Sequence, residues 1–222
     1  MKKQKIVFIG VISVLVTLIL LTTLPLAVLG VKTALLRADY DYLKTDEKYG
    51  SEINVVGVEL VTQHVSCGYA SIEMLSAFYG NKITEDELDA KNNGKVSTSS
   101  SNGFLKELDR SIPDKTFIKH SYVKNDLFLK EIHDSLSSGH PVAIEWAARY
   151  EGDWTLHFSV VVGLDIAGDT VVIDNPYGFT ERVSIGEFLD RTSFAAYDGM
   201  PLFLTYGFAF GAFEKNTLFR VE

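Results

Sequence analysis

Residues 6–31 read IVFIGVISVLVTLILLTTLPLAVLGV, a run without one charged side chain. A helix needs about 20 apolar residues to cross the hydrocarbon core of a bilayer, whereas the apolar part of a secretory signal has about 7–15. The run is therefore expected to form an uncleaved signal anchor. Cleavage near the small residues around Ala27 is the alternative. The preceding MKKQK holds the densest positive cluster of the chain, so the N-terminus is expected in the cytoplasm and everything after Lys32 outside. Residues 1–31 then form the cytoplasmic tip and anchor, and the protein is a single-pass cell-membrane protein, or secreted if the signal is cleaved.

About 190 residues follow, enough for one domain with its own core. The formal charge of −8 and the lack of a basic cluster beyond the first five residues exclude nucleic-acid binding, which rests on phosphate neutralisation. One cysteine, Cys67, forms no internal disulfide, so the domain relies on its core. His and Cys do not cluster at ligand spacing, and no metal or other cofactor is expected. Oligomeric state is left open.

Residues 32–52, rich in charge and without apolar period, read as a membrane-proximal stalk, with the folded domain over 53–222. INVVGVELV from Ile53 is a short strand candidate. From Cys67 the apolar positions Ala70, Met74, Leu75 and Phe78 recur at helical spacing until Gly80 and Asn81 stop them. Thr84 and Glu87 form a capping-box pattern that predicts a helix over Glu85–Lys91. Phe104, Leu105 and Leu108 mark another helix. Asn125 is a plausible cap for the next, whose apolar positions are Leu127, Phe128, Ile132 and Leu136. Beyond Gly139 the runs PVAIEWA, HFSVVVGLD, DTVVIDNP and PLFLTYGFAF are β-rich and separated by Gly, Asp and Pro. Helices followed by strands predict an α+β domain with an antiparallel sheet.

A thiol at a helix N-terminus feels the positive end of the dipole and unpaired N–H groups, which favour the thiolate. Cys67 is thus disposed to be a nucleophile. Gly68 behind it leaves room for a substrate backbone, and Gln63 before it is a neutral donor suited to an oxyanion. A thiol nucleophile needs a base, and His157 opens an apolar strand. His64, His120, His133 and His140 read as ordinary surface histidines. The base needs an orienting group, and VVIDNPYG ends the next strand with Asp174 and Asn175. Adjacent strand residues face opposite ways, so one of the two is expected to meet His157, and the turn length between the strands decides which.

As an ordered set, Cys67-Gly68, the helix ending FYG, SGHPVAIEW, HFSVVVGLD and IDNPYG resemble the papain-like cysteine peptidases of the bacteriocin-processing, double-glycine leader type. The likeness is closer still to the free-standing peptidase-like domains of that group, and it covers residues 58–189. It implies a papain-like fold, an N-terminal helical half with the cysteine's helix packed on an antiparallel sheet. It also implies a peptide or protein substrate. The nucleophile would be Cys67, the base His157, and the orienting group the polar residue before Pro176, assigned to Asn175 because NPYG echoes papain's own order. A glutamine upstream of the cysteine would bind the oxyanion. Here Gln63 stands about two residues closer to the cysteine than usual. A peptidase-like module that binds peptides without cutting them, and an acyl transferase using the same residues, are the alternatives.

Overall fold

The computed structural model of the chain describes residues 2–194 and 201–222. The side chains of residues 2–7 and 202, and with them the lysines on which the expected orientation rests, lie outside it. Helix α1 spans Lys2–Leu36. Thr17, Thr22 and Thr23 return their hydroxyls to carbonyls three or four residues earlier, at 2.8–3.1 Å, so these polar groups are satisfied inside the helix without water. Among its described side chains only Pro25, Leu29, Thr33 and Leu36 are buried, a stripe at helical spacing that docks the end of α1 onto the rest of the molecule.

Residues 41–49 do not stand free as the expected stalk. They fold into two short 3-10 turns whose Leu43 and Tyr49 enter the main core. Tyr49 sets the edge of its ring against His133, centroids 4.6 Å apart, and Lys48 pairs with Asp134 at 2.8 Å. Two apolar anchors in a charged segment carry no helix or strand period, which is why the pattern read as stalk. The same contact buries His133 to 4 % exposure, against its expected place on the surface.

Strand β1 (Ile53–Asn54) precedes α2 (Cys67–Phe78), α3 (Glu85–Lys91), α4 (Ser101–Ser111), β2 (Phe117–His120) and α5 (Asn125–Ser137). Then come β3 (Val142–Tyr150), β4 (Asp153–Asp165), β5 (Thr170–Asn175), β6 (Phe179–Val183), α6 (Ile185–Ser193), α7 (Leu202–Phe210) and β7 (Thr217–Val221). The strands form one antiparallel sheet in the order β2-β7-β3-β4-β5-β6, with β1 on β4. β3 is buried from Val142 to Ala148, as a strand covered on both faces must be. Val142, Ile144, Trp146 and Ala148 join the core under α5 and α6. Ala143, with Phe158 and Val160 of β4, joins the core under α2 and α4.

Two strand expectations change. The first strand shrinks to two residues, and residues 202–210 are helix α7, stopped by Gly211 at φ 81°. An all-apolar run fits either period, and the neighbour decides. Here Leu204 and Phe208, four apart on one helix face, pack with Leu29 of α1, Ala147 and Phe194.

Candidate active site

α2 begins at Cys67 because Ser66 caps it. Ser66 is extended, at φ −158° and ψ 150°, and its hydroxyl accepts from the Tyr69 amide at 3.2 Å. The loop before it is clamped by Glu85 at the start of α3. This fully buried carboxylate accepts from the amides of His64, Val65 and Ser66 at 3.0–3.2 Å. Gly68 serves packing rather than substrate access, since a Cβ there would lie 2.3 Å from Thr98 Oγ1.

His157 lies on β4 directly opposite Trp146 of β3, and directly opposed residues share a face. Val160 stands opposite Asp174, so Asp174 belongs to the other face, where its carboxylate accepts from Thr180 Oγ1 at 2.7 Å. Burial raises the pKa of Asp174 and this hydrogen bond moderates the rise. Asn175, one residue on, shares the face of His157, and its Oδ1 lies 2.9 Å from His157 Nε2.

The sequence held no signal for what supports this pair, because the partners come from distant segments. Asn175 Nδ2 donates to Glu181 Oε2 at 3.0 Å. Glu181 pairs with Arg191 at 2.5 Å. The guanidinium of Arg191 lies 3.6 Å from the Trp146 ring and donates to the Ala147 carbonyl. Tyr177 stacks on the His157 ring with centroids 4.1 Å apart, and its amide donates to Asn175 Oδ1 at 3.0 Å.

The backbone N–H of Phe158, the residue after His157, favours the Cys67 thiolate. Among the described residues no hydrogen bond joins the thiol to the imidazole. Burial pushes the thiol pKa up to about 11, against the opposing pull of the Phe158, Gly68 and Cys67 amides. Burial likewise pushes His157 down to about 3, which the Asn175 hydrogen bond only partly offsets. Desolvation thus outweighs the helix dipole, and near neutral pH the two groups are a thiol and a neutral imidazole. Asn175 Oδ1 can only accept, so Nε2 carries the ring proton and Nδ1 is the basic nitrogen.

Gln63 is tied by its amide to the Pro176 carbonyl at 2.7 Å, and its Oε1 is buried without a hydrogen-bond partner among the described residues. With Thr62, Tyr150, Pro176 and Tyr177 it lines a cleft of about 320 Å³ that lies beside the His157–Asn175 pair. No group of three or more His, Cys, Asp or Glu is placed to hold a metal ion among the described residues.

A helix that opens on a cysteine and packs on an antiparallel sheet bearing a histidine defines the papain-like class of fold. The chain belongs to the Peptidase C39 like family, which it matches over residues 55–197. No curated protein matches the sequence. Among solved structures, it resembles a double glycine motif protease from an AMS/PCAT transporter, crystallised in complex with the leader peptide. The likeness has a TM-score of 0.50 at 15% identity and covers 76% of this chain and 93% of that one. At that identity it speaks for the fold.

Proposed function

We propose that the protein is a cysteine peptidase, held by α1 in the cell membrane with its folded domain outside, that cleaves peptides after a double-glycine-type sequence. The observation that carries this reading is the buried His157–Asn175 hydrogen bond, on the strand whose next amide favours the Cys67 thiolate. The substrate class follows the solved relative, which was crystallised with a leader peptide. The anchor follows the one long apolar helix among the described residues.

In this reading the Cys67 sulfur bonds to the substrate carbonyl carbon as its proton passes to His157 Nδ1. The oxyanion is met by the backbone N–H of Cys67 at the helix start, joined by the Gln63 side chain. Collapse breaks the C–N bond, and the leaving amine takes the proton from Nδ1. Water, deprotonated by the same nitrogen, then hydrolyses the thioester. Because thiol and imidazole start neutral, proton transfer accompanies attack rather than preceding it.

The test uses full-length protein in vesicles and a peptide with an internal Gly-Gly, with products read by mass spectrometry. Cleavage is expected, with complete loss in Cys67→Ala at equal folded yield. Added amines leave the product a free acid, whereas an acyl transferase would give the amide. Alkylation of Cys67 by iodoacetamide should accelerate steadily as pH rises above 8, with no plateau near neutrality. The raised thiol pKa favours a second reading, a peptide-binding module without turnover. Binding of the Gly-Gly peptide with no cleavage and no covalent capture by a peptide chloromethylketone would establish it.

A further inference from the structure

We propose that α7 is a second membrane element, an interfacial helix whose Phe203, Tyr206 and Phe210 lie among the acyl chains of the outer leaflet beside α1. This rests on the reading of α1 as a membrane span. Residues 199–213 contain no charge. Positions 203, 206 and 210 fall on one helix face, and Phe203 and Phe210 are 66% and 64% exposed. The opposite face, through Leu204 and Phe208, is buried against Leu29, Ala147 and Phe194. Such a helix has no use for an outward phenylalanine pair in water.

Its place along α1 identifies what covers that face. The Tyr206 hydroxyl donates to the Leu21 carbonyl, and Tyr206 and Phe210 line an apolar cavity with Thr17, Leu20, Leu21, Leu24 and Pro25. Leu21 precedes Lys32, the first charge after the apolar run, by eleven residues, about 16 Å of helix. Side chains that meet α1 at that level are inside the hydrocarbon whenever α1 spans it. Lys32 marks the boundary, donating to the Phe208 carbonyl at 3.0 Å, and Lys215 donates to Thr33 one residue later along α1. Lys32, only half-buried, stands where a lysine reaches the interface, whereas Lys215 is fully buried against α1. Trp154 and Leu156 of β4 pack on the same cluster, so the strand that carries His157 is held next to the bilayer.

The test places a nitroxide label on the full chain in a Cys67→Ser background, reconstituted in mixed phosphatidylcholine and phosphatidylglycerol vesicles. Labels go at Phe210→Cys and, as a second position, Phe203→Cys. Ile12→Cys reports α1, and Lys91→Cys reports an exposed site on α3. The expected result is a several-fold higher ratio of oxygen to nickel-complex accessibility at 210, 203 and 12 than at 91. A water-like ratio at 210 and 203 with a lipid-like ratio at 12 overturns the inference and leaves the anchor standing. A water-like ratio at 12 overturns both. Spin–spin broadening at 210 that vanishes on dilution with unlabelled protein would put a second copy on this face and also overturn it.

Discussion

Asn175→Ala is expected to lower kcat/KM on a Gly-Gly peptide by about a hundredfold or more, while Asp174→Ala keeps most of the activity at equal folded yield. The two residues are neighbours in sequence and opposites in the sheet. Asn175 Oδ1 accepts from His157 Nε2, which in the proposed mechanism leaves Nδ1 to take the thiol proton. Asp174 faces away and accepts from Thr180. The structure also sets Asn175→Asp apart from a benign exchange. Nδ2 of Asn175 donates to Glu181, so an aspartate would turn that hydrogen bond into a carboxylate pair. Asn175→Asp should therefore lose activity or stability, and Asn175→Asp with Glu181→Gln should recover much of it. Activity of Asn175→Ala close to wild type, with loss in Asp174→Ala, would refute the assignment.

The second large effect concerns stability against pH, where two buried groups oppose each other. Folding lowers the His157 pKa from 6.5 to about 3, so protonation favours the unfolded chain. Its contribution is fully present above pH 6.5 and is lost as pH falls toward 3, on the order of 3 kcal/mol by pH 4. Burial raises Glu145 from 4.5 to about 7, against the Ser101 hydrogen bond. Its contribution is fully present below pH 4.5 and is lost as pH rises toward 7, again on the order of 3 kcal/mol. In the wild type these slopes offset each other between pH 4.5 and 6.5, and the unfolding midpoint should change little across that window. Glu145→Gln keeps an oxygen for Ser101 and should expose the His157 slope, with stability rising steeply with pH. His157→Gln should expose the opposite slope. Thermal unfolding of the full chain in detergent reads all three, and parallel curves for wild type and both variants would refute the assignment of these titrations.

Local patterns carried much of the architecture. The spacing of Ala70, Met74, Leu75 and Phe78 marks α2, and the Thr84–Glu87 capping box is present in α3 as written. These features depend on residues within a turn or two of each other. The expected α+β class with an antiparallel sheet is also what the chain adopts, because β3, β4 and β5 announce themselves by their own runs and turns, while β2, β6 and β7 fall outside the runs that predict strands. The segments misjudged were those whose partner is remote. Residues 41–49 are ordered by α5, and residues 202–210 become a helix because α1 offers them a surface.

By itself, then, the sequence determined that one long apolar helix precedes an α+β domain of the Peptidase C39 like family, and that its single cysteine starts a helix. Only the tertiary structure decided which of two adjacent residues meets His157, since a strand presents alternate side chains to opposite faces and the pairing with β4 sets which face is which. It also decided the protonation of the site. The helix start favours a thiolate, but burial is a property of everything packed around Cys67 and His157, and here desolvation exceeds the local dipole.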